Sequence, residues 1–146
     1  MTTTEPDVLA ENTAAARRVL EVIFPADDEG ALLDAVDADF VNHEAPAGTP
    51  PGPGSAVFYM HMLAGAFSDQ RWEIEKTVAE GDLVTIYCTH RGRHTGDFFG
   101  MAPTGRGFAY RQMHIVRVRN GKGVEHWAVR DDAALMRQLG SPSVSG

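Results

Sequence analysis

Residues 108–130, FAYRQMHIVRVRNGKGVEHWAVR, decide how the chain is read. Phe108 to Arg119 is rich in β-branched and aromatic side chains, so it predicts a long strand. Asn120-Gly121 is a strong two-residue hairpin signal, because both positions of such a turn take positive φ. Val124 to Arg130 is then the returning strand. Alternation places Tyr110, Gln112, His114, Val116 and Val118 on one face of the first strand. On the second, Glu125, Trp127, Val129 and Asp131 share a face, with Val124, His126, Ala128 and Arg130 opposite. Gln112, His114, Trp127 and Asp131 are read as facing inward. The hairpin makes the two strands neighbours, so His114 and Asp131 are expected within reach of each other unless a bulge shifts the register.

Upstream of this hairpin the period is also two. Trp72 to Val78 and Leu83 to Arg91 predict two strands around a Glu80-Gly81-Asp82 turn. Phe98-Phe99 belongs to an irregular third segment, followed by a turn at Ala102 to Gly105. Downstream, Ala133 to Leu139 predicts a short helix stopped by Gly140, with a frayed tail from Ser141 to Gly146. The first half of the chain is helical in pattern. Thr4 to Phe24 carries Val8, Leu9, Ala15, Val19, Val22 and Ile23 as its apolar stripe, with Thr4 as N-cap and Pro25 as terminator. Asp28 to Val36 is a second helix, and Phe40-Val41 is extended into Asn42-His43. Ala45 to Gly54, APAGTPPGPG, excludes regular structure and reads as a lid or a plain crossover. Ser55 to Phe67 is a third helix, expected to bury Val57, Phe58, Met62, Ala66 and Phe67. Helices followed by a meander make an α+β fold, with the helices packed on a curved antiparallel sheet that encloses a pocket.

The 146 residues fit one domain with loose ends at about 1–4 and 141–146. The formal charge of −7 and the lack of a Lys/Arg cluster argue against a nucleic acid or an anionic membrane as partner. No apolar run is long enough to span a bilayer, and the N-terminus has no basic or apolar targeting pattern, so a cytoplasmic location is expected. The single Cys88 excludes an internal disulfide and a cysteine-rich zinc site. His90 and His94 lie on one strand at a spacing that is too wide for paired ligands, and His61 has no partner at helical spacing. No catalytic metal is expected.

The inward-facing set suits general acid–base chemistry. A carboxylate in an apolar pocket is held partly protonated, and a nearby His or Gln can donate to an oxyanion as it forms. Asp131-Asp132 also stands where a helix N-cap is needed, so the residue types alone leave Asp131 open between catalyst and cap.

The chain also carries a wider pattern: Phe40-Val-Asn-His43, Phe67-Ser-Asp69, Glu80-Gly-Asp82, Gly96-Asp-Phe-Phe-Gly-Met-Ala-Pro-Thr-Gly105, Arg117-Val-Arg-Asn-Gly-Lys122, Glu125-His-Trp127, Asp131 and Gln138-Leu-Gly140. Over nearly its whole length it resembles the SnoaL-like polyketide cyclases, of the nuclear transport factor 2-like α+β cone fold. The resemblance implies ring closure of an aromatic polyketide by intramolecular aldol condensation, with no cofactor, no metal and no covalent intermediate. It implies Asp131 as general acid/base, with Gln112 and His114 as its hydrogen-bonding partners. Asn42 matches a pocket-lining Asn. His43, Trp127, Tyr110 and Phe58 are expected to hold the flat substrate, and a homodimer or homotetramer is expected through the outer sheet face.

Three rivals stay in view. A limonene-epoxide-hydrolase-like site needs an Arg-x-Asp pair where this chain has Gln112-Met113-His114. A cofactor-independent hydroxylase branch of the same family uses the same scaffold. So does a non-catalytic small-molecule-binding or oligomerisation domain.

Overall fold

The computed structural model describes residues 5–140; the expected Thr4 cap and the tail 141–146 lie outside them. Five strands form one sheet: β1 (Val36–Asn42), β2 (Phe67–Glu80), β3 (Leu83–His94), β4 (Gly107–Arg119) and β5 (Lys122–Arg130). Their order across the sheet is β1-β5-β4-β3-β2. The antiparallel meander from β2 to β5 is as expected. The sheet is nonetheless mixed, because β1 pairs parallel with β5. Strands separated by a whole helix and three other strands have the length of chain that a parallel crossover needs.

The helices depart from the sequence reading in phase more than in place. Helix α1 (Glu5–Arg18) continues through a π-helical turn (Val19–Ile23) into α2 (Phe24–Ala26). Pro25 therefore does not stop the helix. It lies in the first turn of α2, and the chain leaves at Asp27 with φ 52°. A π turn inserts one extra residue and rotates the next part of the helix. Leu20 and Ile23 are buried as a result, whereas Val22, expected in the apolar stripe, is exposed. Asp28 caps α3 (Glu29–Ala35) by accepting from Ala31 N at 3.0 Å. Helix α4 (Pro53–Ala66) buries Ser55, Ala56, Met60, Leu63 and Ala66. Almost every position of this helix is small or apolar, so periodicity does not select a face. The expected inward position of Phe58 is corrected: Phe58 is 45% exposed, and Tyr59 beside it turns toward the interior. The short helix α5 (Asp132–Gln138) closes the described chain.

One irregularity controls the site. Around the Asn120-Gly121 turn, Arg119 pairs with Lys122 and Val118 with Gly123, but Arg117 then pairs with Glu125. Val124 is an extra residue on β5, a bulge that moves every later side chain of that strand to the opposite face. Opposite Gln112, His114 and Val116 stand Arg130, Ala128 and His126, not Val129, Trp127 and Glu125.

The concave face packs Trp72, Ile86, Phe108, Tyr110 and Val118 against Leu20, Leu63 and Ala66 from the helices, Leu135 from α5 and Leu139 just after it. A second cluster joins Ile23, Leu32, Val36, Phe40, Ala56 and Met60. The segment after β3 is tied to the end of α4 by Thr95 N and Gly96 N, both donating to Ala66 O at 3.0 and 2.9 Å. Gly96 is needed there, because a Cβ at that position would run into the Gly65 carbonyl oxygen.

Candidate active site

A cavity opens between the helices and the concave sheet face, with about 940 Å³ of free space when the part open to solvent is included. Its apolar wall includes Leu20, Leu63, Trp72 and Ile86. Its polar residues are Asn42, Glu44, Tyr59, Gln112, His114, His126 and Arg130.

Four of these form a line. Asn42 Oδ1 meets His126 Nδ1 at 2.9 Å. His126 Nε2 meets His114 Nδ1 at 2.9 Å. His114 Nε2 meets Gln112 Oε1 at 2.7 Å. The strands set the line directly: Gln112 and His114 are two apart on β4, His126 comes from β5, and Asn42 ends β1 beside it. A branch continues behind the cavity wall. Gln112 bonds the Tyr110 phenol, Tyr110 Oη meets His90 Nδ1 at 3.0 Å, and His90 Nε2 meets Gln70 Oε1 at 2.9 Å. His90 also stacks on Trp72, 4.0 Å between ring centres.

Charge follows burial. Desolvation, then the charges of His126, Arg130 and His90, hold His114 well below the usual imidazole range. Desolvation, with Arg130 and His43 adding to it, lowers His126 to about 3. His90 falls to about 3 by burial, then by the Arg130 charge. All three rings are neutral near pH 7, and a neutral imidazole has one N–H. Proton counting then constrains the line. Three contacts join Asn42, His126, His114 and Gln112, and the two neutral rings supply two protons. Asn42 Oδ1 already accepts from Glu44 N at 3.0 Å, so that end is fixed as an acceptor. His126 therefore donates from Nδ1, and His114 donates from Nδ1 to His126 Nε2. His114 Nε2 is left as an acceptor facing Gln112 Oε1. A half-turn of the Gln112 amide presents N–H to that nitrogen and completes the line. The His114–Gln112 contact is thus the link that gives most easily.

The expected site residues separate into two groups. Gln112, His114 and Asn42 line the cavity. Tyr110 is buried just behind it, through its bonds to Gln112 and His90. The structure places the others outside the cavity lining. Asp131 is exposed, and its carboxylate accepts from Ala134 N at 3.1 Å as the N-cap of α5. The bulge at Val124 turns Trp127 to the outer face, where it stacks on His43 at 4.9 Å. His43 is exposed and bonds Glu125 Oε2 at 2.7 Å. Phe58 lies outside the cavity lining, as do Asp131, Trp127 and His43. Alternation without the bulge missed His126 and Arg130. The legible sign was Gly123, a glycine between the tight turn and the predicted strand. Tyr59 and Glu44 gave no comparable signal. Among the described residues no cluster of His, Cys, Asp and Glu could hold a metal ion, and no helix is long and apolar enough to cross a membrane.

Known proteins place this geometry. The chain is 33% identical over 96 residues to nogalonic acid methyl ester cyclase of Streptomyces nogalater, covering 65% of this chain and 72% of the relative. It is 29% identical over 136 residues to aklanonic acid methyl ester cyclase AcmA of Streptomyces galilaeus, covering 92% and 94%. The structure of AclR from Streptomyces galilaeus, described as a candidate hydroxylase, superposes with a TM-score of 0.78 at 26% identity, covering 90% of this chain and 82% of that one. The fold is the α+β cone of nuclear transport factor 2-like proteins. The family described as SnoaL-like polyketide cyclase matches residues 14–139. The chain belongs to the SnoaL-like polyketide cyclase family.

Proposed function

We propose that this protein is a polyketide cyclase that closes a ring by intramolecular aldol condensation, using its own side chains and no cofactor. One observation carries the reading: in a chain of this family, the line Asn42, His126, His114 and Gln112 runs along the wall of an otherwise largely apolar cavity. The relatives named as cyclases of nogalonic and aklanonic acid methyl esters support a polyketide as the substrate class.

The base in this reading is His114, not Asp131. A substrate carbonyl that takes over the Gln112 N–H leaves His114 Nε2 free to accept a carbon-bound proton. The C–H electron pair becomes an enolate. The enolate carbon adds to a second carbonyl of the same molecule, so a C–C bond forms and the attacked C=O becomes an alkoxide. Gln112 donates to that oxygen as its charge develops. The imidazolium then returns its proton to the alkoxide. One proton leaves carbon and one arrives on oxygen, so nothing is consumed. His126, held by Asn42, keeps His114 in the tautomer whose Nε2 is the acceptor.

The test is product analysis on nogalonic and aklanonic acid methyl esters. Wild type should give a cyclised isomer of unchanged mass. His114→Ala should lower kcat by about 10²–10⁴-fold, the usual size of a lost acid–base group. Asp131→Asn should stay within about twofold, because Asn caps a helix as well as Asp does. If Asp131→Asn abolishes cyclisation, the base returns to Asp131. If wild type is inert on both esters, the cyclase reading falls. The likeness to AclR favours one rival, hydroxylation, and a heavier product formed only under oxygen would select it.

Self-association belongs to the same proposal. Val129 pairs with Met113 and Trp127 with Ile115 on the outer sheet face, with Val129 78% and Met113 44% exposed. A second copy of the chain is the expected cover for this strip, as a homodimer or homotetramer, and light scattering at micromolar concentration tests it.

A further inference from the structure

Arg130 takes no part in the proton transfers above, and its charge is unanswered. The bulged β5 turns it inward opposite Gln112, onto the cavity wall. Its Nε is buried without a hydrogen-bond partner. None of the ion pairs among the described residues includes it. Its guanidinium carbon lies 4.9 Å from the Tyr59 ring centre, a contact that solvates a cation only in part. The groups around it offer no counter-charge. His90, His114 and His126 are neutral and are pushed further from protonation by Arg130 itself. Burial raises the Tyr59 phenol, so it stays un-ionised. Of the nearby carboxylates, Glu44 lines the cavity and Asp132 acts on Tyr59 and Tyr110, yet neither pairs with Arg130. A half-buried guanidinium with a buried, unpartnered Nε is costly to keep, and Arg130 lines the cavity where a ligand goes.

We infer that Arg130 is the anchor for an anionic oxygen on an aromatic ligand, a carboxylate or an ionised enol or phenol. The guanidinium donates to that oxygen while the ring lies against Tyr59 and the apolar wall. The aromatic part rests on the cyclase reading; the anionic part rests on Arg130 alone. In the aldol step, Arg130 would hold the enolate oxygen created when His114 removes the proton. That supplies the charge compensation a weakly basic, buried imidazole needs to accept it.

Calorimetric titration with three probes tests this: anthraquinone-2-carboxylate, its methyl ester, and alizarin across the pH range in which its phenol ionises. Wild type should bind the carboxylate at least tenfold tighter than the ester, or alizarin at least tenfold tighter once ionised. The first result identifies a permanent acid and the second an enol-type oxygen. Arg130→Gln should abolish whichever preference exists while still binding the ester. Arg130→Lys should keep part of it. Thermal melts check that both variants fold; if Arg130→Gln does not, Arg130→Lys and the wild-type ratios decide. Equal binding of charged and neutral probes by wild type would overturn the anion site and leave the cyclase reading standing. If no probe bound wild type, the aromatic-ligand reading would fall and this inference with it.

Discussion

Two histidine sites in this protein have opposite characters. On the cavity wall His114 is 4% exposed, and its partners are His126 and Gln112. On the surface His61 stands between two carboxylates, with Nδ1 2.6 Å from Asp27 Oδ1 and Nε2 2.7 Å from Glu29 Oε1. His114 loses solvent and gains no counter-charge, so its proton affinity drops. His61 keeps solvent and gains two acceptors, so its proton affinity rises. Burial alone, then, does not make a charged site. The cavity line is a neutral hydrogen-bond array, suited to handing a proton on and unsuited to storing one.

The largest effect should come from erasing that difference. Ala128 stands directly across from His114 on the inner face. Ala128→Asp would place a carboxylate beside the buried ring, as Asp27 stands beside His61. The His114 titration, followed by NMR of the labelled imidazole, should rise toward the ordinary imidazole range. If it stayed low, the neutrality of the line would have a cause other than the missing counter-charge. The acid limb of stability comes next. The pKa of buried His90, His114 and His126 is depressed in the folded state. The contribution of His90 and His126 is present in full above the unfolded value of about 6.5 and is lost as pH falls toward about 3, because the unfolded chain takes up the protons first; His114 acts in the same direction. His90 and His126 each represent roughly 3–5 kcal/mol across that window. Urea midpoints measured from pH 7 to pH 4 should fall steadily, and His90→Gln should flatten the slope.

Much of this architecture is legible in the sequence. The meander, the Asn120-Gly121 hairpin and the inward faces of Gln112 and His114 come from alternation, because β4 runs straight through its pairing with β3. Asn42 comes from family resemblance, and the structure puts it on the cavity wall. Alternation could not carry the phase beyond an irregularity. One extra residue at Val124 exchanged Trp127 and Asp131 for His126 and Arg130. One π turn at Val19–Ile23 put Val22 outside, and an all-apolar α4 hid which of Phe58 and Tyr59 faces in. Each error is a rotation of a correctly placed element. Asp131 is a harder case, since a helix cap and a catalytic carboxylate look alike in sequence; its carboxylate accepts from Ala134 N, and the Asp131→Asn variant separates the two roles.

The smallest effect should be at His61, and its sign is the sharper test of the comparison. Its pKa is raised in the folded state, first by the bond to Glu29 and then by that to Asp27. The stabilisation is therefore complete below the unfolded value of about 6.5 and disappears as pH climbs through the folded value. The three groups are well exposed, with side-chain exposures of 42%, 40% and 54%, so the gain is under about 1 kcal/mol. His61→Gln should lower the urea midpoint slightly at pH 5.5 and leave it unchanged at pH 9. Salt at 1 M should remove most of the pH 5.5 difference, since exposed pairs are screened while the buried rings are not. Because His61 ties α4 to Asp27 and α3, a deficit that persisted at pH 9 would mean the side chain acts by packing rather than by charge.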